Sequence, residues 1–221
     1  MSYFDLSKLK ISEILEDNYK TILEEYKNFN FDYTDFFSRL KIDKNFQRWK
    51  GLYESSLKID EKYSNVFLGS SVESQQKKCN HYELEVNQQV IWEGVILSTK
   101  KNFLWFEYLS LTAAGKKFFP KTVSLLKKCK EVTTISIARF PSKQIIPPHK
   151  GNKNIIRIHF GLDVPEGDIG FYVKGVKRKW VNGKCFAFND FFEHGGWNNT
   201  EKDRIILIVD LDRKLTINKN T

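Results

Sequence analysis

The chain has 221 residues, with 36 Lys+Arg against 27 Asp+Glu, a net charge of +9, and 41% hydrophobic residues. That length holds one domain, or one core with a helical extension, and the composition excludes intrinsic disorder and collagen. The longest stretch without charge, Tyr63 to Val72, is ten residues, about half of the ~20 that a membrane-spanning helix needs, and the N-terminus has no apolar core of a signal peptide.

The first half reads as helical. Ile11, Ile14, Leu15, Tyr19, Ile22, Leu23 and Tyr26 recur at spacings of three and four, and Ser12 with Glu16 offers capping chemistry. A second helix is expected from about Phe46 to Leu57, with a loop at Gly69-Ser70-Ser71. The aromatic-rich residues 86–112 read as short strands, and Pro120 suits the first turn of a helix through Lys128. After Lys130 the texture changes. Runs such as VTTISIA, NIIRIHFGL, GFYVKG, KCFAFND and DRIILIVDL alternate with Pro and Gly breakers. Short strands separated by turns predict an antiparallel sandwich or jelly roll.

Charge and chemistry concentrate in that second half. Residues 1–100 hold 14 Lys+Arg and 16 Asp+Glu, whereas residues 101–221 hold 22 and 11. The excess is a solvated lysine surface or an attraction for an anionic substrate or polymer. Cys79, Cys129 and Cys185 are dispersed and odd in number, which fits a reducing compartment, so a cytoplasmic location is expected. Of the four histidines, His149 follows Pro147-Pro148 and His194 precedes Gly195-Gly196, both beside turns. Two such histidines can meet at one metal, or can be hydrogen-bonded loop residues.

Strand alternation sharpens the reading. In IIRIHFG, Ile156, Ile158 and Phe160 form a packing face, while Arg157, His159 and Gly161 share the other. The last strand places Arg204, Ile206, Ile208 and Asp210 on one face. An arginine there lies at an exposed rim or is buried with an anion.

The stretch from Phe119 to Arg213 resembles the aspartyl/asparaginyl β-hydroxylase family of Fe(II)- and 2-oxoglutarate-dependent oxygenases. The resemblance lies in FPKTVSLL, IPPHKG, RIHFGL, Trp180 and Gly183 of KWVNGK, FNDFFEHGGWNN and RIILIVDLDR, in that order. It implies a mainly β fold with α, a double-stranded β-helix (jelly-roll, cupin-like) core from 101 to 215. A helical N-terminal region (1–100) would pack on that core, and 216–221 would be a tail. It implies that His149 and His194 bind iron, that Arg204 pairs with the distal carboxylate of 2-oxoglutarate, and that Arg157 and His159 contact the co-substrate near the metal. The implied activity is hydroxylation of an unactivated C–H with O2, at the β-carbon of an Asp/Asn-type or related amino-acid substrate. That substrate would be a small molecule or peptidyl or carrier-bound, and the basic second half is compatible with an anionic one.

Position 151, two after His149, is Gly rather than a carboxylate. The resembled family lacks that carboxylate and has water in its place, so weak iron retention is expected. Asp190 and Glu193 are candidate acceptors for that water, or ordinary surface acids. Halogenating oxygenases also lack the carboxylate, which makes halogenation a rival. The family's Asp-Asp is Asn189-Asp190 here, and Ile137-Ala138-Arg139 replaces its small polar residues, with Ser136 as a substitute. Two further alternatives are a non-catalytic ligand-binding member and a nucleic-acid-binding module using Lys174, Lys177, Arg178 and Lys179 beside Tyr172 and Trp180. The joint presence of His149, His194 and Arg204 argues against the first, and a lysine-rich hairpin turn looks the same as the second.

Overall fold

The computed structural model describes residues 2–29, 66–68, 93–103, 106–111 and 113–218. The helix expected at 46–57, the loop at 69–71, Cys79 and His81 lie outside them. A short 3-10 turn, Leu6–Lys8, leads into α1 (Lys10–Asp17) and α2 (Tyr19–Phe29). The apolar periodicity runs unbroken through both, but the chain bends at Asn18. There the side-chain amide donates to the carbonyl of Ile14 at 2.8 Å, competing for groups a continuous helix would use. Ser12 is not a cap. It lies inside α1, and its hydroxyl donates to the carbonyl of Leu9 at 2.6 Å.

Two antiparallel sheets form the body. The larger runs in the order β1-β2-β4-β11-β6-β9, with β3 also on β2. These are β1 (Val66–Leu68), β2 (Glu93–Phe103), β3 (Phe106–Leu111), β4 (Val132–Phe140), β6 (Ile155–Asp163), β9 (Cys185–Asn189) and β11 (Arg204–Asp212). The smaller runs β5-β10-β7-β8: β5 (Gln144–His149), β10 (His194–Asn198), β7 (Ile169–Val173) and β8 (Val176–Arg178). From β4 onward the chain passes repeatedly from one sheet to the other, which is the jelly-roll, double-stranded β-helix arrangement. Residue 100 falls inside β2, and Arg213–Asn218 form a short helix after the last strand.

The strand periodicity sorts side chains between two cores. Ile156, Ile158, Phe160, Leu207 and Val209 pack outward against Ile11, Leu15 and Ile22 of the helices. Each fully buried aliphatic of this kind contributes about 1.5–3 kcal/mol. Helices α3 (Ala113–Phe118) and α4 (Pro120–Leu126) complete this layer. Pro120 takes the first turn of α4, where its missing N–H costs nothing. The next N–H groups, of Lys121 and Thr122, donate to the carboxylate of Glu25 on α2 at 2.7 and 2.8 Å. The opposite faces of β6, β9 and β11 enclose the space between the sheets with Ala138, Phe171, Val173, Trp180, Phe186, Phe188, Ile206 and Ile208. The side chains singled out in the sequence open into this inner space.

Candidate active site

His149 ends β5 and His194 begins β10, and the two are paired across the ladder. Their ring centroids lie 4.1 Å apart. The Nδ1 of His194 is 2.6 Å from the carbonyl oxygen of Phe192. A carbonyl only accepts, so Nδ1 carries the proton and Nε2 keeps its lone pair. Burial pushes the imidazole down to about 3, against the opposing pull of the Phe192 carbonyl. A neutral ring with a defined Nε2 donor is the form that binds a metal.

A carboxyl group from another loop lies against position 151, although no cluster of three metal-ligating side chains forms among the described residues. Asp190, fully buried, packs directly on the Gly151 backbone: a Cβ at 151 would stand 1.9 Å from Oδ2 and 2.8 Å from Oδ1. Asp190 accepts from the backbone N–H of Asn152 at 2.7 Å, and its Oδ1 is 3.7 Å from His194 Nε2. A carboxyl group therefore sits on the Nε2 side of His194. Glu193, the other acid considered, is exposed.

Arg157 holds this arrangement. Its Nη1 meets Asp190 at 2.9 Å, while Nε and Nη2 donate to Asp210 at 2.7 and 2.9 Å. One buried guanidinium thus bridges two carboxylates. Burial raises the Asp210 carboxyl, and Arg157 opposes the rise. Asp210 was missed as a site residue, although alternation had placed it on the inner face beside Arg204. His159 accepts from the indole N–H of Trp180 at 3.2 Å. Burial, then the positive charges of Arg204 and Arg157, hold its imidazole well below the ordinary histidine range.

Arg204 opens β11 and is buried at 2% exposure. Its guanidinium lies 4.4 Å from the Trp180 ring and 5.1 Å from that of Phe140. Its Nε and Nη1 are buried without a hydrogen-bond partner among the described residues. Desolvation pushes its pKa down to about 9, which still leaves a cation at neutral pH. Unpaired buried charge is costly, so the site fits an anion best. Trp180 links this corner to the histidines: it contacts Phe171 at 5.4 Å, and Phe171 contacts His194 at 5.7 Å. Because Trp180 is buried there, it is not a surface for stacking nucleic-acid bases.

A family profile described as Aspartyl/Asparaginyl beta-hydroxylase matches residues 16–214. The chain belongs to this family. Among curated β-hydroxylase relatives, the mouse aspartyl/asparaginyl beta-hydroxylase is 26% identical over 75% of this chain and 20% of its own length. The ornithine lipid ester-linked acyl 2-hydroxylase of Rhizobium tropici is 30% identical over 60% of this chain and 50% of its own. The chain therefore spans half or less of these relatives. A solved 2OG-Fe(II) oxygenase-family oxidoreductase from Burkholderia pseudomallei aligns over 64% of this chain and 77% of its own, at 10% identity and TM-score 0.40. Among the described residues of this β-hydroxylase-family chain, no helix is long and apolar enough to cross a membrane.

Proposed function

We propose that the chain is an Fe(II)- and 2-oxoglutarate-dependent dioxygenase that hydroxylates an unactivated C–H. The observation that carries the reading is Arg204, a buried guanidinium with unpartnered N–H groups, in the same inner space as a pair of facing histidines. A dicarboxylate that chelates a metal at one end and meets an arginine at the other satisfies both. Iron with bound 2-oxoglutarate and O2 supplies the oxidising chemistry, converting 2-oxoglutarate to succinate and carbon dioxide while one oxygen atom enters the substrate C–H.

The chain's own residues have separable roles. His149 and His194 hold the metal, the latter through Nε2. Arg204 binds and orients the distal carboxylate, with Trp180 and Phe140 excluding water from that ion pair. Asp190, fixed by Arg157 and by the Asn152 N–H, would accept a hydrogen bond from a water beside the metal in place of the side chain that position 151 lacks. His159, whose Nδ1 is taken by Trp180, presents an Nε2–H donor for the co-substrate. Arg157 acts through Asp190, since its guanidinium is engaged with two carboxylates.

The substrate we propose is the β-carbon of an Asp/Asn-type or related amino-acid group, free, peptidyl or carrier-bound. The ornithine lipid relative supports an amino-acid-bearing lipid as a second reading. Cys185, a buried free thiol, is compatible with a reducing cytoplasm. The test is succinate release dependent on Fe(II) and 2-oxoglutarate, with a mass-spectrometric search for a +16 product in the presence of chloride. No 2-oxoglutarate turnover, or a chlorinated product, would overturn the reading.

A further inference from the structure

The loops at the two ends of the barrel differ in chemistry. One end is set by the strand register: Val132, Ile155, Asn189 and Leu211–Asp212 of the large sheet come together there, as do His149, His194 and Val173 of the small one. The segments leaving this end are 127–131, 150–154, 174–175 and 190–193, together with α5 (Arg213–Asn218). They are in contact. The Gly151 N–H donates to the Asp190 carbonyl at 2.7 Å, the Lys174 N–H to the Glu193 carbonyl at 2.8 Å, and the Arg213 N–H to the Asn154 carbonyl at 2.9 Å.

This surface is basic. The turn after α4 exposes Lys127, Lys128 and Lys130; the other segments expose Lys150, Lys153, Lys174 and Lys214, against one exposed acid, Glu193, and the half-exposed Glu131 and Asp212. It is also apolar. Among the described residues the exposed large hydrophobics are Val176, Val181, Phe191, Leu215 and Ile217. All but Val181 lie at this end. Phe191 is 48% exposed in the 190–193 segment and Val176 50% exposed at the start of β8, and the Lys174 ammonium lies 4.6 Å from the ring centre of the adjacent Phe192. At the opposite end, a cleft of about 1070 Å³ is lined by Asp163, Glu166, Asp168, Glu201 and Asp203 with three cations, Lys27, Arg139 and Lys202. With Lys143 on Glu201 and Lys179 beside Gly167, the described acids and cations of that end are nearly balanced, so the excess of exposed lysine over acid is specific to the His149 end.

We infer that the His149 end is a docking surface for a negatively charged lipid membrane, with the lysines at headgroup level and Phe191 and Val176 inserted between lipids. Exposed apolar side chains interleaved with lysines match an interfacial surface, where lysine stems lie along apolar groups and the ammonium reaches the headgroups. A protein partner fits less well, because lysine is depleted and arginine enriched in protein interfaces. An anionic surface attracts the lysine-rich end more strongly than the far end, where acids and cations are nearly balanced. Docking turns the end from which both histidines start towards the bilayer. The surface rests on its own residues and does not depend on the hydroxylase reading.

The test is flotation of the whole chain with vesicles of phosphatidylcholine alone or with 30% phosphatidylglycerol. Binding is expected only to the anionic vesicles and should weaken as salt is added. Each lysine at such a surface is worth about fivefold in affinity, so Lys150→Glu, Lys153→Glu and Lys174→Glu together should cost more than 100-fold. The matched control, Lys143→Glu with Lys202→Glu at the far end, should leave binding unchanged. Phe191→Trp should shift its emission to the blue on anionic vesicles and be quenched by brominated acyl chains. Circular dichroism and Tm of each variant report folding separately. Failure to float, equal binding to neutral vesicles, or equal loss in the far-end control would overturn the inference. Equally tight binding to single-stranded DNA or an acidic protein, indifferent to Phe191→Ser and Val176→Ser, would also overturn it.

Discussion

Replacing Gly151 by Ala is a sharp test of the buried Asp190 arrangement. The new methyl would stand 1.9 Å from Oδ2 and 2.4 Å from the carboxyl carbon of Asp190. Contact distance is well beyond 3 Å, so the carboxylate must retreat by more than 1 Å. It has little freedom to do so, being fully buried and held by Asn152 N–H and Arg157. Losing the bond from Asn152 to a charged acceptor costs about 1.5–3 kcal/mol, and forcing Asp190 off its rotamer adds about 0.5–1.5 kcal/mol. Gly151→Ala should therefore destabilise the metal-free protein by about 3 kcal/mol, a fall in Tm of roughly 6–12 °C for a chain of this size. The cost should vanish when the obstacle does. In an Asp190→Ala background the same methyl should cost less than about 0.5 kcal/mol, giving a coupling of about 3 kcal/mol in the double-mutant cycle. Urea unfolding of the four proteins measures it. Additive costs, or a neutral Gly151→Ala, would show that Asp190 does not occupy the space beside Gly151.

Other consequences can be checked on the same protein. Arg204→Met should change metal-free stability by no more than about 1 kcal/mol, because the guanidinium has unpartnered groups to lose, yet weaken 2-oxoglutarate binding at least 30-fold by calorimetry with Mn(II); a large stability loss with intact binding would refute the anchor role. His159 is held neutral when folded but takes a proton near pH 6.5 when unfolded. Its contribution to stability is therefore lost as pH falls, by roughly 1 kcal/mol between pH 7 and 5.5. His159→Gln should flatten urea-derived stability by that amount, and an unchanged slope would contradict it. Glu25→Ala removes the acceptor for three groups at the start of α4 and should cost about 2–4 kcal/mol in thermal unfolding.

Much of this was legible where periodicity is strong. Alternation in β6 separated Arg157 and His159 from the isoleucines, and in β11 it put Arg204 on one face with Asp210, because one face packs on helices and the other lines the inner space. The turn residues around His149 and His194 marked them as strand-end groups, though only the ladder shows that they face each other. The Asp190 contact was harder to read. Gly151 registers in sequence as a missing side chain, whereas in space it is the room another side chain needs, and that packing joins two loops far apart in the chain, as does the hydrogen bond from Asn152 to Asp190, 38 residues on. The Asp210 partner of Arg157 was hidden for a similar reason: both were on inner faces, but only the register of β6 against β11 brings them opposite one another. The break at Asn18 left no Pro or Gly to announce it.

The two-faced strands β6 and β11 also constrain how such a chain can change over generations. Inserting or deleting one residue inside β6 would exchange its faces at a stroke, driving Arg157 and His159 into the helices and isoleucines into the chamber. Stability and chemistry would fail together, so length changes in these strands have no gradual route. The turns at either end are under no such veto. A lineage built on this framework can acquire new reach and new substrates by lengthening its loops, while the number of residues between Arg204 and Asp212 stays the same.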